Sequence, residues 1–236
     1  MKKFAVNSSS KEAKERYLTF EIIKHGKAKK MELGEYNTFH YMSDPKRLTF
    51  LFARYKFVSK MLEGFKNVLE IGCQEGLGTG IVARSVTKLV ATDFFVEHIA
   101  SCKKRLSEFL GNVEFEAHDI TGGPLKVKGG FDAAYCLDVF EHIAPSQESL
   151  FFKNVVASLR KNGVLIIGIP SLESQVYASE ASKMQHVNCK SGKDLKAACL
   201  KYFNNVFMFG MNDETLHTGF MPMSHYLIAL CAGVKK

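Results

Sequence analysis

From residue 66 onward the apolar positions follow two alternating spacings. Compact apolar runs at "KNVLEIG" (66–72), "KLVATD" (88–93), "NVEFEAHD" (112–119), "FDAAYCLD" (131–138) and "VLIIGIP" (164–170) predict strands. Between them, "GTGIVARSV" (78–86), "VEHIASCKKRLSEFL" (96–110) and "ESLFFKNVVASLRKNG" (148–163) carry apolar residues at helical spacing, the last closed by Lys161-Asn162-Gly163 as a helix stop. Strands separated by such helices predict a doubly wound α/β domain with a parallel sheet. "VLIIGIP" is apolar throughout, as a strand buried on both faces requires. The pattern then changes: "NNVFMFGMND" (204–213) and "SHYLIALCAG" (224–233) are strand-like with no helix between them, so this pair is expected to run antiparallel and to bring the sheet to seven strands.

Ahead of the first strand, "PKRLTFLFARYKFVSKML" (45–62) predicts a helix opened by Pro45 and capped by Ser43-Asp44. "GEYNTFHYMSDP" (34–45) reads as an aromatic turn, and residues 11–31 as a charged segment, helical in part. This divides the chain into an extension over 1–45, whose Tyr36, Phe39, His40 and Tyr41 are candidates for a lid, and a domain over 46–236.

Composition changes this picture little. Hydrophobic residues at 46% and charged residues at 24% are ordinary for a globular protein. The start "MKKFAVNSSSKEAK" lacks the apolar core of a signal peptide, and "YLIALCAGV" (226–234) is too short to span a bilayer, so no membrane role is expected. The six cysteines show no metal-like spacing and read as free thiols of a cytoplasmic protein. A net charge of +8 suits an anionic small-molecule partner. The lysine clusters, at 27–30, 102–105 and 126–130, lack the interleaved aromatics of a nucleic-acid groove, which makes nucleic acid the less favoured partner. The sequence sets no oligomeric state.

Candidate chemistry gathers at the strand ends, where open parallel sheets bind ligands. "VLEIGCQEGLGTG" (68–80) runs a strand containing Glu70 into a turn with Gly72, Gly76 and Gly78, opening a helix whose N–H groups face a ligand. Gln74 stands where a dinucleotide fingerprint has its second glycine, and its bulk would crowd a pyrophosphate. Asp93 closes the second strand, placed to accept both hydroxyls of a ribose. Asp119 closes the third, able to accept an adenine amine, with Ile120 and Phe94 placed to sandwich the ring. Asp138 closes the fourth.

"LEIGCQEGLGTG", "ATDFF", "AHDI" and "CLDVFEHI" together resemble the ordered motifs of class I S-adenosylmethionine-dependent methyltransferases over about residues 66–170, departing at Gln74. The resemblance implies a Rossmann-like sheet with an antiparallel last strand. It also implies S-adenosylmethionine as cofactor, leaving as S-adenosylhomocysteine. Gly72, Cys73, Gln74 and Gly76 would hold the methionine part, Asp93 the ribose, and Asp119 with Ile120 the adenine. Glu70 would face the amino group, and Asp138 would border the same site.

"LDVFEHI" resembles the corresponding stretch of ubiquinone-biosynthesis O-methyltransferases and small-RNA-end methyltransferases, with Asp138 for their first glutamate. Helical spacing would put Asp138, Glu141 and His142 on one face. Three readings follow: a divalent-metal site of those three residues, with His186 as a further ligand; catalysis by His142, Glu141 and His186 as base and orienting groups; or a simple helix cap. The expected activity is O-methylation of a small, anionic acceptor such as a sugar derivative. RNA or protein methylation and non-catalytic cofactor binding stand as alternatives.

Overall fold

The computed structural model describes residues 8–18 and 31–235. The lysine cluster at 27–30 and most of the charged segment lie outside the described residues. Residues 1–32 and 33–236 are separate compact units. In the first, Ser8–Leu18 forms helix α1.

The larger unit opens with two helices, α2 (Glu35–Ser43) and α3 (Arg47–Met61). The segment read as an aromatic turn is thus a helix. Strand β1 (Asn67–Ile71) follows, then a short α4 (Thr79–Ala83), β2 (Lys88–Asp93), α5 (Val96–Leu106), β3 (Val113–Ala117) and β4 (Phe131–Leu137). Helix α6 (Glu148–Ser158) leads into β5 (Leu159–Pro170), and α7 (Glu180–Gln185) and α8 (Gly192–Leu200) precede β6 (Phe203–Asn212), β7 (Thr215–His217) and β8 (Tyr226–Val234). The expected stop at Lys161-Asn162-Gly163 is not one. The helix ends at Ser158, Leu159 turns extended to pair with Phe131, and a register irregularity before Ala133 takes up the extra residues.

The strands form one sheet in the order β3-β2-β1-β4-β5-β8-β6-β7. The first five are mutually parallel, with Leu69 of β1 opposite Val90 and Ala134. Strand β8 runs antiparallel between β5 and β6. The sheet has eight strands because β7 adds a three-residue hairpin edge, too short to leave a pattern in sequence.

Alternation along the strands sends side chains to two cores. On one face Tyr55 and Val58 of α3, with Leu62 just after it, pack on Val68, Ala133, Tyr135 and Ile228. On the other, Phe151, Phe152 and Val155 of α6 and Leu195 and Cys199 of α8 pack on Leu69, Cys136, Ile167 and Ala229. All six cysteines are unbridged. Among the described residues no helix is long and apolar enough to cross a membrane.

Candidate active site

The reversal of strand order between β1 and β4 opens a crevice at the carboxyl ends of the strands. It holds a cavity of about 560 Å³, walled by residues from the ends of β1, β2, β3 and β4 and roofed in part by Tyr36 of α2.

At one end lies the glycine turn. Gly72 has φ +77°, and a side chain there would run into Val139. Gly78 meets a protein neighbour: a Cβ would collide with the ring of Tyr55, so this glycine lets α3 dock. Gln74 lines the cavity with φ +48°, a left-handed conformation that glycine adopts without cost and other residues do not. Its N–H donates to Asp93 Oδ2 at 2.8 Å. Asp93 also accepts the Phe95 N–H at 3.0 Å and lies 3.3 Å from His98 Nδ1, so its carboxylate is fixed in the floor of the cavity. Asp119 accepts both the N–H and the hydroxyl of Thr121, a turn that points the segment Asp119–Thr121 into the cavity opposite the exposed ring of Phe94.

Three residues expected at this end do not line it. Glu70 points to the opposite face of β1, 1% exposed, near the hydroxyls of Thr79, Tyr135 and Tyr55; no hydrogen bond of good geometry reaches its oxygens. Burial pushes its carboxyl up to about 7, against the pull of those hydroxyls. Cys73 is buried against Cys102 of α5, and Gly76 faces Leu106 of the same helix. Cys73 and Gly76 thereby help to seat α5.

The other end is built around Asp138. Its backbone is left-handed, φ +57°, and its N–H donates to the Gly168 carbonyl at 3.0 Å. Both carboxylate oxygens accept from Arg54 Nη1, at 3.0 and 2.9 Å, and the guanidinium lies 3.6 Å from the centre of the Tyr226 ring. Asp138 and Tyr226 together with this pair overcome the desolvation of Arg54 and hold it more firmly charged than usual. Nothing in the sequence paired these residues; the one signal was an arginine amid the apolar positions of a helix.

The expected common face of Asp138, Glu141 and His142 does not form. The left-handed residue and a single three-residue turn of 3₁₀ helix at Phe140–His142 send the side chains apart. Glu141 turns inward, 1% exposed, with neither oxygen hydrogen-bonded, and burial first, then Asp138, raises its carboxyl well above the usual range. His142 turns into the cavity, its Nδ1 3.1 Å from the Gln185 carbonyl and its Nε2 3.9 Å from Glu141 Oε1. His186 lies edge-on to His142, ring centres 5.2 Å apart, with Nδ1 2.9 Å from Gln175 Oε1. Burial and His142 lower its proton affinity. Among the described residues, the metal-type donors that converge are Glu141, His142 and His186, within 4.8 Å of one another, and not the set containing Asp138. His217 and His225 do not line the cavity. His98, Phe95 and Thr121, which do, went unmarked in sequence because each sits a few residues past a strand end, His98 in the first turn of α5 and the other two in the connecting loops.

Residues 68–163 match the family of methyltransferase domains. No curated protein sequence matches the chain significantly. Among solved structures, the chain is similar to the N-methyltransferase NodS from Bradyrhizobium japonicum in complex with S-adenosylhomocysteine, with TM-score 0.61 and 16% identity over 86% of this chain and 94% of that one. It is also similar to the methyltransferase domain of bacterial CtHen1-C, with TM-score 0.63 and 17% identity over 78% and 98%. A third likeness is to a protein solved with the Haloferax volcanii Trm112 methyltransferase activator, with TM-score 0.64 and 11% identity over 86% and 97%. The sheet order, the cavity at its switch point and these likenesses agree: this is the α/β Rossmann-like methyltransferase fold, with a methyltransferase-domain match over residues 68–163.

Proposed function

We propose that the protein transfers a methyl group from S-adenosylmethionine to a hydroxyl of a small, anionic acceptor. The observation that carries this reading is a single cavity with a fixed carboxylate, Asp93, and the Gly72–Gln74 turn at one end, and the imidazole of His142 at the other. Asp93 Oδ2, engaged by Gln74 alone, retains a lone pair suited to a ribose hydroxyl. Asp119, Ile120 and Phe94 suit an adenine edge and its two faces. Bound there, S-adenosylmethionine supplies a sulfonium-activated methyl group. The protein's own part is alignment, exclusion of water by α2 acting as a lid, and removal of the acceptor proton.

His142 suits that last task. With Nδ1–H donating to the Gln185 carbonyl, the neutral ring has its lone pair on Nε2, free to take a proton. Glu141 lies 3.9 Å from Nε2, and His186, edge-on to the ring, orients it. The unbridged thiols accord with a reducing, cytoplasmic setting.

A second reading of the same cluster rests on its donor geometry. Both imidazoles have Nδ1 engaged by an oxygen, leaving Nε2 for coordination, and the oxygens of Glu141 are buried without partners. Glu141, His142 and His186 would then hold a divalent ion that polarises the acceptor hydroxyl.

The test is transfer of a labelled methyl group from S-adenosylmethionine into a cell extract separated by size, with and without chelator. Label in the small fraction supports the proposal, and its loss on chelation selects the metal reading. Label in the large fraction alone moves RNA or protein into first place.

A further inference from the structure

Two residues outside the cavity wall extend its acceptor end. Arg47 begins α3, and its Nη1 lies 3.1 Å from Nδ1 of His40, on α2. A guanidinium can only donate, so Nδ1 must accept, and the proton of the neutral imidazole sits on Nε2. That N–H is shielded from solvent and has no acceptor among the described residues. The imidazole packs edge-on against Tyr36, ring centres 4.2 Å apart, and Tyr36 lines the cavity. His142 lines the same cavity as Tyr36, and the charge of Arg47 lowers the proton affinity of His40, behind the larger effect of burial.

The charges around this mouth do not cancel. Asp138, the carboxylate that lines the cavity there, is taken by Arg54. Asp44, next in chain to the helix start, directs its side chain to the Lys46 N–H and not to the guanidinium. No carboxylate pairs with Arg47 among the described residues. What remains is an exposed, fork-shaped cation, held in place by the imidazole of His40, whose other N–H groups match the oxygens of a phosphate or carboxylate group.

We propose that Arg47 and His40 form an anion subsite that seats the phosphate- or carboxylate-type group of the methyl acceptor. The assignment deepens the function proposed above and rests on it for the identity of the ligand as acceptor. It makes the acceptor's charged group part of recognition, held on α2 and α3 while the hydroxyl points to His142.

The experiment titrates the full chain, saturated with S-adenosylhomocysteine, with inorganic phosphate and separately with acetate, following the histidine ring signals by NMR. Phosphate or acetate is expected to shift the His40 signals saturably, and the stronger of the two names the anion class. Arg47→Gln is expected to weaken that binding at least tenfold, whereas Lys46→Gln, which removes the neighbouring exposed cation, changes it less than twofold. Absence of a saturable His40 shift, or equal weakening by both substitutions, overturns the subsite. S-adenosylhomocysteine binding, measured by calorimetry on the same samples, is expected to survive Arg47→Gln unchanged. Its absence from the unmodified protein would instead strike the methyltransferase reading.

Discussion

Glu75 accepts two hydrogen bonds from Asn37, one from the backbone N–H and one from the side-chain amide, each 2.9 Å long. A third comes from the Tyr36 N–H at 3.2 Å. Glu75 lies inside the glycine turn, between Gln74 and Gly76, and its own carbonyl is held by Arg105 at 2.7 Å. The first residue before α2 is Gly34, which has no side chain to cap a helix. The cap comes from the glycine turn instead, so the placement of Tyr36 at the cavity depends on that turn.

Glu75→Ala should therefore free α2 while leaving the sheet intact. The expected cost is about 1–3 kcal/mol in urea unfolding, with faster amide exchange confined to residues 35–43. Binding of S-adenosylhomocysteine should weaken several-fold. Unchanged exchange in α2 would contradict the capping role.

Glu70 gives a pH signature. Its folded-state carboxyl is raised from 4.5 to about 7, chiefly by burial. The folded protein thus binds the proton more tightly than the unfolded chain, and this contribution to stability is complete below 4.5 and lost as pH rises to about 7. Glu70→Gln removes the dependence. The stability of this variant minus that of the parent should rise from pH 5 to pH 8, by on the order of 3 kcal/mol in full at 1.36 kcal/mol per pH unit. Thermal melts of both proteins across that range check it, and a constant difference would refute it.

Gln74 stores strain in the turn. Replacing it by glycine at φ +48° should stabilise the protein by roughly 0.5–1 kcal/mol, because the left-handed backbone then costs nothing. The N–H to Asp93 is retained, so affinity for S-adenosylhomocysteine should hold or improve. Calorimetry and denaturant midpoints measure the two effects separately.

Arg54 and Asp138 form a coupled pair. Arg54→Met leaves Asp138 without its partner and should cost roughly 2–4 kcal/mol. Combining it with Asp138→Asn should recover a substantial part of that loss, since no unpaired charge remains. Additive losses in the double variant would show that the pair is not coupled.

How far the sequence disclosed this structure depended on the distance over which each feature is specified. Strands such as "KLVATD" announce themselves because a buried parallel strand is written in consecutive apolar residues. The acids at strand ends were legible for the same reason, as their positions follow from strand length. Helix α2 was misread because "GEYNTFHYMS" has weak helical signals and takes its cap from Glu75, 38 residues away. The Arg54–Asp138 pair spans 84 residues, with no local trace of either partner in the other. The segment at 138–142 failed for a different reason. Its spacing is helical, but Asp138 leaves the right-handed region, and a single such residue redirects every side chain after it.

The ion pair on the Tyr226 ring joins the middle of α3, the end of β4 and the start of β8 at one point. The Asp93 end of the wall, by contrast, is written almost wholly in the continuous stretch from β1 to the turn after β3. The two ends of the cavity therefore have separate genetic addresses. Exchange of the segments that flank the central sheet would remake the Asp138 end of the cavity while the Asp93 end is inherited unchanged.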